Sequence, residues 1–346
     1  MRVGTDETRA CDTVRGAGGS AARDAARGTR RRVVVVVGAG RSGTSAITRG
    51  VQAVGVELGE RLRRGRGKNP TGFFEDEDLR AITNRVKRAL GVRGESVGLI
   101  DAHRWHEPAL QALRAEAVAT IRRRFASHPV WGFKHGRTLR LLPFWREVFA
   151  DLDLDVGYVV AVRNPLSVAR SRGALDSRRG LQVKSDLEWL VSVVPNFPLC
   201  RDHRVVVVDY DLMMADPNGQ LERLARGLEL PITDDTRAAI EVFAREFLTP
   251  GLRHSRFTDA DLVRDTSISP LVRDAYRWLH RLATDTVDLH APALWKDWER
   301  IEGAFATLAP ILGYVDHLEG ELRRAKASPL GPLQAIPLAW RKLRGK

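Results

Sequence analysis

VVVVVGAGRSGTSAITR, residues 33–49, is the stretch of the sequence that decides the fold. Its five valines are too few to span a membrane and too β-branched to favour a helix, so they predict a buried strand of a parallel sheet. The glycine-rich turn at 38–45 leads directly into the helical pattern of Ala46, Ile47 and Val51. A strand, a tight turn and a helix N-terminus direct several backbone N–H groups to one point, where the helix dipole favours negative charge. The stretch therefore predicts an anion-binding loop.

The loop also carries side-chain donors, which makes an ordinary tight turn the less favoured interpretation. Four of them suit an anion: Arg41, Ser42, Thr44 and Ser45. The loop of nucleotide triphosphatases reads G-x-x-x-x-G-K-[ST]. Gly38 and Gly43 have this spacing, but Thr44 stands in place of the lysine. A P-loop kinase or nucleotidase stays open as an alternative, with Asp209 after a valine-rich strand as its metal-binding acid.

The length of the chain, its cysteines and the absence of long apolar runs in the sequence favour a globular protein. The 346 residues can form one large α/β domain or two small ones. The two cysteines, Cys11 and Cys200, lie too far apart in the sequence to indicate a disulfide scaffold or a cysteine-based zinc site. No apolar run reaches the roughly 20 residues that span a bilayer. No secretory signal precedes residue 33. We therefore expect a cytoplasmic location, and no metal is expected.

The net charge of +13 indicates an anionic partner. Residues 1–32 hold 8 basic against 4 acidic residues, and residues 315–346 hold 7 against 3, so the two ends supply eight of these charges. A nucleic-acid-binding protein is expected to carry a basic face with interspersed aromatic residues on its folded body. The sequence has no such pattern, so no nucleic-acid partner is predicted. The basic, aromatic segment from Leu330 onward suits peripheral contact with an anionic membrane, such as the inner membrane face, although a frayed terminus fits equally well.

The order of strand and helix patterns predicts the architecture. Strands at 33–37, 130–133, 156–162 and 204–208 alternate with helices, which implies a parallel sheet covered on both faces. We predict an α/β, P-loop-type three-layer fold with a helical C-terminal region. The predicted division is a flexible arm at 1–30, a domain at 31–314 with a sheet core at 33–230 and a helical acceptor-side region at 231–314, and a basic helix or tail at 315–346. One helix is predicted at 291–312.

A cation follows each of the first three predicted strands: Arg41, Lys134 and Arg163. Ligands of open parallel sheets lie beyond the carboxyl ends of the strands. An edge with three positive groups and an anion-binding loop predicts a ligand with more than one anionic group.

These motifs together resemble the sulfotransferases that use 3'-phosphoadenosine 5'-phosphosulfate (PAPS), in particular the bacterial carbohydrate-type members. The family's 5'-phosphosulfate loop, [KR]-S-G-[TS]-[TS], is matched by RSGTS at 41–45. Its 3'-phosphate motif, an Arg at a strand end with a Ser eight residues on, is matched by Arg163 and Ser171 in RNPLSVARS. WGFKHGRTL around Lys134 and VVVVDYDLMMADP at 205–217 are similarly placed. The resemblance covers roughly residues 33–230.

The resemblance implies sulfuryl transfer from PAPS, without a metal, to a hydroxyl acceptor such as a carbohydrate or glycolipid. The residues implied in donor binding are Gly40, Arg41, Ser42, Gly43, Thr44, Ser45, Arg163 and Ser171. Arg41 and Lys134 are implied on the leaving-group side, because cations offset charge on the departing phosphate. A nucleotide-binding protein without catalysis remains a further alternative.

Glu75 in GFFEDEDL is the implied general base, and we expect Phe73 and Phe74 to raise its pKa by desolvation. Asp76 is the base if the register differs by one residue, and His135 is the other contender. Both acids are also typical of a helix N-terminus.

Two features of the acceptor side stay open at this stage. Three tryptophans at 278, 295 and 298 suit stacking on sugar rings, although core packing is the commoner use of such residues. The basic segment at 252–256 can serve as a nucleotide clamp or as a solvated loop.

Overall fold

A four-stranded parallel sheet lies at the centre of the computed structural model, which describes residues 30–65, 72–248 and 257–327. The strands are β1 (Arg32–Gly38), β2 (Val130–Lys134), β3 (Asp155–Val162) and β4 (Arg204–Asp209). Their order across the sheet is β2-β1-β3-β4, and every neighbouring pair is parallel. The predicted α/β, P-loop-type fold with a central parallel sheet is confirmed.

Thirteen α-helices lie within the described residues. They are α1 (Thr44–Ala53), α2 (Glu77–Ala89), α3 (Pro108–Phe125), α4 (Leu142–Asp151), α5 (Pro165–Gly173), α6 (Gln182–Val193), α7 (Tyr210–Ala215), α8 (Pro217–Gly227), α9 (Asp234–Val242), α10 (Asp259–Arg264), α11 (Pro270–Ala283), α12 (Pro292–Ala306) and α13 (Ala309–Ala327). Short 3₁₀ turns lie between several of them, and a π turn, Phe243–Phe247, follows α9.

The valine strand β1 is buried on both faces, which explains its uninterrupted apolar sequence. Val33, Val35 and Val37 belong to the larger core, which also holds side chains of α2, α3, α4, α6, α11 and α12. Val34 and Val36 point to the other face and pack in a second core with side chains of α1, α8 and α9. Alternation along one strand thus supplies both cores, and the sheet is the middle of three layers.

The helix predicted at 291–312 is wrong as a single element. The chain forms α12 and then α13, and Pro310 lies in the first turn of the second helix. Proline is tolerated in a first turn and breaks a helix interior, because it lacks an N–H group and its ring clashes with the preceding turn. Helix α13 continues to Ala327 and crosses the boundary predicted at 314/315.

The three C-terminal tryptophans form core, which is the commoner of the two uses that the sequence left open, and stacking on sugar rings is excluded for them. Trp278, Trp295 and Trp298 are at most 3% exposed and surround Phe197, with ring centroids 5.0–5.9 Å from the phenyl ring. The Trp278 indole donates to the carbonyl of Leu294 at 3.0 Å. A ring enclosed in this way presents no face to a ligand.

Several predictions lie outside the described residues. These are the arm predicted at 1–30 except for its last residue, the basic segment at 252–256, and the part of the predicted 315–346 tail from 328 onward. Among the helices of the described ranges, none combines the length and the apolar character that a membrane span requires.

Candidate active site

The candidate site lies where the strand order reverses. The chain runs from β1 outward to β2 and then returns across β1 to β3, so β1 and β3 are neighbours. Crevices at such switch points are the usual ligand sites of open α/β sheets. Here the loop after β1 and Arg163 after β3 lie at the carboxyl ends of two adjacent strands.

The loop after β1 has the backbone geometry of an anion-binding nest. Arg41 and Gly43 both have positive φ, 78° and 80°, and Gly43 is the N-cap residue of α1. A Cβ atom on Gly43 would overlap the ring of Tyr210, so the loop needs glycine there for space as well as for conformation. No described side chain caps α1, and its first turn holds no acid. Its leading N–H groups therefore suit an anion.

The loop meets the second sequence motif directly. Arg41 Nε donates to Ser171 Oγ on α5 at 2.9 Å, across 130 residues of sequence. Arg163 is buried, and its guanidinium carbon lies 4.6 Å from the centroid of the Tyr210 ring. Burial lowers the pKa of Arg41, and the charge of Arg163 lowers it further. The two arginines repel each other, which favours an anion between or beside them.

Lys134 connects the loop to the predicted base. Its Nζ donates to Ser45 Oγ at 3.2 Å and to Glu75 Oε1 at 3.3 Å. Arg63 donates to Glu75 Oε2 at 3.2 Å. Lys134 and Glu75 are 3% and 5% exposed, so this is a buried ion pair beside the helix N-terminus.

The pKa of Glu75 is lowered, which corrects the sequence-based expectation. Burial alone raises it, but the shift is downward, because the charge of Lys134 and the hydrogen bonds from Lys134 and Arg63 stabilise the carboxylate. The carboxylate is therefore ionised at neutral pH and able to accept a proton. Burial lowers the pKa of Lys134, while the charge of Glu75 opposes this.

Asp76 has a structural role, because both of its carboxylate oxygens accept hydrogen bonds. Oδ1 accepts the backbone N–H groups of Asp78 and Leu79 at the start of α2. Arg124 donates to Oδ1 and Oδ2 at 2.7 and 2.6 Å. The residue is 1% exposed. It caps the helix and fixes α3 against it, and within the described residues its hydrogen bonds go to α2 and Arg124, whereas Glu75 contacts Lys134 beside the loop.

His135 is neutral, because burial lowers its pKa to about 4. Its Nδ1 accepts the backbone N–H of Arg137 at 3.3 Å, an arrangement that leaves the hydrogen on Nε2. Both nitrogens are then accounted for, so the ring is less suited than Glu75 to receive a proton.

Asp209, the acid that a kinase interpretation requires, is also engaged. Oδ1 accepts the N–H groups of Asp211 and Leu212 as the N-cap of α7. Oδ2 accepts the hydroxyl of Tyr276 at 2.9 Å and lies 3.5 Å from His280 Nδ1. The carboxylate ties β4 to α11.

A buried arginine beneath the loop was missed by the sequence analysis. Arg172 is 1% exposed and donates to the carbonyl of Gly40 at 3.2 Å and to Ser185 Oγ at 3.0 Å. Its Nε lies 3.6 Å from Glu188, which also accepts two hydrogen bonds from Arg179. Burial lowers the pKa of Arg172 to about 9. This group holds the loop backbone on α6, and nothing in its local sequence distinguishes it from surface charge.

Comparisons with known proteins give distant structural similarity. No family model and no curated protein matches the chain. The sulfotransferase domain of the Synechococcus PCC 7002 olefin synthase is 16% identical, with 80% of this chain and 95% of that chain covered, at a TM-score of 0.38. Sulfotransferase STF9 from Mycobacterium avium is 15% identical over 78% of this chain and 81% of that chain, at 0.43. Sulfotransferase STF1 from Mycobacterium tuberculosis H37Rv is 16% identical over 68% and 77%, at 0.37.

Proposed function

We propose that this chain transfers a sulfuryl group from PAPS to a hydroxyl acceptor. The observation that carries the proposal is the contact of Arg41 with Ser171, which joins the anion-binding loop to the second anion motif. A donor with a phosphosulfate at one end and a 3'-phosphate at the other needs two anion-binding sites that lie close enough for one molecule to occupy both. An Arg fork and a hydroxyl suit the dianionic phosphate, and the nest with Ser45 suits the phosphosulfate.

The charge balance of the described residues supports a polyanionic ligand. Several cations lie at the loop and among the residues that support it, and some of them pair with carboxylates: Arg63 and Lys134 with Glu75, Arg163 with Asp211, and Arg172 and Arg179 with Glu188. Burial lowers the pKa of both Arg41 and Lys134, which means that desolvation makes the charged form of each side chain less favourable in free energy. A ligand with several negative charges offsets that cost on binding.

The roles of the side chains follow from their positions. Glu75 is ionised and takes the proton of the acceptor hydroxyl while the acceptor oxygen bonds to sulfur. The bond between sulfur and the bridging oxygen breaks, and the leaving 5'-phosphate gains negative charge. Lys134 and Arg41 offset that charge. Because Lys134 contacts both Ser45 and Glu75, it also holds the base beside the loop.

We further propose that the acceptor is a carbohydrate or glycolipid, on the strength of the sequence resemblance. The kinase alternative is less well supported, because the oxygens of Asp209 are occupied by a helix cap and by Tyr276. The two interpretations differ in the ligand they require: PAPS for one, and ATP with Mg²⁺ for the other.

The test is calorimetric titration of the full chain, without metal, with adenosine 3',5'-bisphosphate and with adenosine 5'-phosphate. We expect Arg163→Ala and Ser171→Ala to weaken binding of the bisphosphate at least ~10-fold more than binding of the monophosphate, since only the first ligand uses the second anchor. Arg85→Ala, which removes a half-exposed arginine of α2 paired with Glu116 of α3, is the control. Equal losses for both ligands contradict the assignment of the second anchor.

Transfer is then measured with sulfur-labelled PAPS and fractionated glycan and lipid extracts. Label that enters a product in the wild type and not in Glu75→Gln supports catalysis. Magnesium-dependent binding of ATP, without affinity for the bisphosphate, favours the kinase instead.

A further inference from the structure

Helix α13 carries a stripe of large apolar side chains on its exposed side. Ile311, Tyr314, Leu318 and Leu322 are 58%, 61%, 47% and 47% exposed. Their spacing of three, four and four residues places them on one face of the helix. Single exposed apolar residues are ordinary on protein surfaces, but an aligned row over three turns marks an interaction surface.

The opposite side of α13 is fixed to the rest of the protein. Leu312 is fully buried, and Asp316 accepts the backbone N–H groups of Val97 and Gly98 at 2.7 and 2.8 Å. Arg323 contacts Glu95 at 3.2 Å. These contacts set the rotation of the helix about its axis. The apolar stripe therefore faces outward because the polar side is held.

Positive charge accompanies the stripe toward the C-terminus. Arg324 and Lys326 are exposed in the last turn of α13, where Arg324 pairs with Glu321, so Lys326 is the added charge of this turn. The sequence that follows, 328–346, contains no acidic residue, one tryptophan at position 340 and four basic residues: Arg341, Lys342, Arg344 and Lys346. An apolar helix face followed by basic and aromatic residues is the pattern of segments that bind anionic bilayers at the interface.

We propose that α13 docks this protein on an anionic lipid surface, with the stripe in the interface and the basic residues at the headgroups. A second copy of the chain is a poorer occupant, because one row of four side chains offers much less than the roughly 800 Å² per partner of a standard stable interface. The chain's own terminal segment is also a poorer occupant, since its four bases would meet the basic last turn of α13. The proposal is independent of the sulfuryl-transfer chemistry.

The experiment is co-sedimentation of the full chain with vesicles of phosphatidylcholine alone or with one quarter phosphatidylglycerol. We expect binding to the anionic vesicles only. We expect a loss of at least ~10-fold for Leu318→Asp combined with Leu322→Asp, because two apolar side chains no longer enter the interface. The control combines Val242→Asp with Val263→Asp, which adds the same charge at apolar residues that are 38% and 48% exposed elsewhere. Changing the four terminal bases to Gln should weaken binding by about fivefold per charge that reaches the surface. Thermal unfolding and circular dichroism verify that each variant is folded.

Three results overturn the proposal. One is a wild-type chain that does not sediment with anionic vesicles. Another is equal binding by the stripe variant and its control. The third is a concentration-dependent dimer in light scattering that the stripe variant dissociates, because the face is then an interface between two copies.

Discussion

Gly43→Ala is the substitution that most directly tests the anion-binding loop. Gly43 has a φ of 80°, and a Cβ atom there would lie 2.6 Å from Cγ of Tyr210. Gly91, at the end of α2, has a φ of 67° with nothing within 4 Å of the corresponding Cβ position. Alanine at either position incurs the left-handed strain of about 1–2 kcal/mol. Alanine at Gly43 alone must also displace the Tyr210 ring.

The size of the displacement sets the expected effect. Carbon atoms pack at about 3.5–4.0 Å, and Cδ2 of the ring lies nearer to the Cβ position than Cγ does, so the ring and the loop must separate by more than about 1 Å. Such overpacking costs about 1–3 kcal/mol beyond the strain. The Tyr210 ring also lies against Arg163, so a shift disturbs both anion anchors. A misplacement of about 1 Å in a positioned site costs on the order of 100-fold. We expect bisphosphate affinity to fall between ~10- and ~100-fold in Gly43→Ala and to be unchanged in Gly91→Ala.

Two measurements separate the contributions. Urea unfolding should give Gly91→Ala a loss of about 1–2 kcal/mol and Gly43→Ala a loss of about 2–5 kcal/mol, the sum of strain and overpacking. Calorimetry with adenosine 3',5'-bisphosphate should then show weaker binding only for Gly43→Ala. If both variants bind as the wild type does, the backbone at Gly43 does not form the anion site and the reasoning fails.

Three further predictions concern the base, the neutral histidine and the aromatic core. Glu75→Gln removes the carboxylate that competes with a bound anion for Lys134, so we expect bisphosphate affinity to rise several-fold while transfer falls at least ~100-fold. Glu77→Gln is the control, and normal turnover in Glu75→Gln would assign the role of base to another residue. His135 has a pKa of about 4 in the folded protein and 6.5 in the unfolded chain, so the unfolded chain binds more protons and the free energy of unfolding decreases as pH falls from 6.5 to 4. In His135→Gln, urea unfolding over this pH range should show a decrease that is smaller by about 3 kcal/mol, and a pH profile like that of the wild type contradicts the shift. Trp298→Ala should cost about 3–5 kcal/mol by urea unfolding, because the ring is fully buried; a loss below 1 kcal/mol contradicts the core assignment.

The fold and the meeting of the two anion motifs were predictable because the responsible signals are local. Five valines, a glycine turn and an amphipathic helix each have one favoured structure. In a parallel sheet every strand ends at the same edge, so Arg41 and Arg163 are expected near each other despite their separation in sequence. The helix break before α13 was also readable, since Pro310 belongs in a first turn.

The support beneath the loop was not predictable, because it consists of long-range contacts without a local signature. Arg172 follows Ser171 in the sequence and reads as a solvated charge, yet its guanidinium reaches Gly40, 132 residues away. The same limit applies to Trp278 and Trp298. The sequence favours core packing for such aromatic residues but allows a sugar site, and the packing around Phe197 decides between the two.

The backbone conformation at Phe74 determines the different roles of the neighbouring carboxylates Glu75 and Asp76. Glu75 and Asp76 follow Phe74, which has a left-handed φ of 51°. A non-glycine residue in this region is strained by about 1–3 kcal/mol and persists when the surrounding contacts determine it. Here the Phe74 ring packs edge-on against Phe247, with centroids 5.6 Å apart. With the chain turned in this way, Asp76 reaches the N–H groups of α2 while Glu75 reaches Lys134. The sequence places two acids at a helix start, and the turn at Phe74 determines which one faces the anion-binding loop.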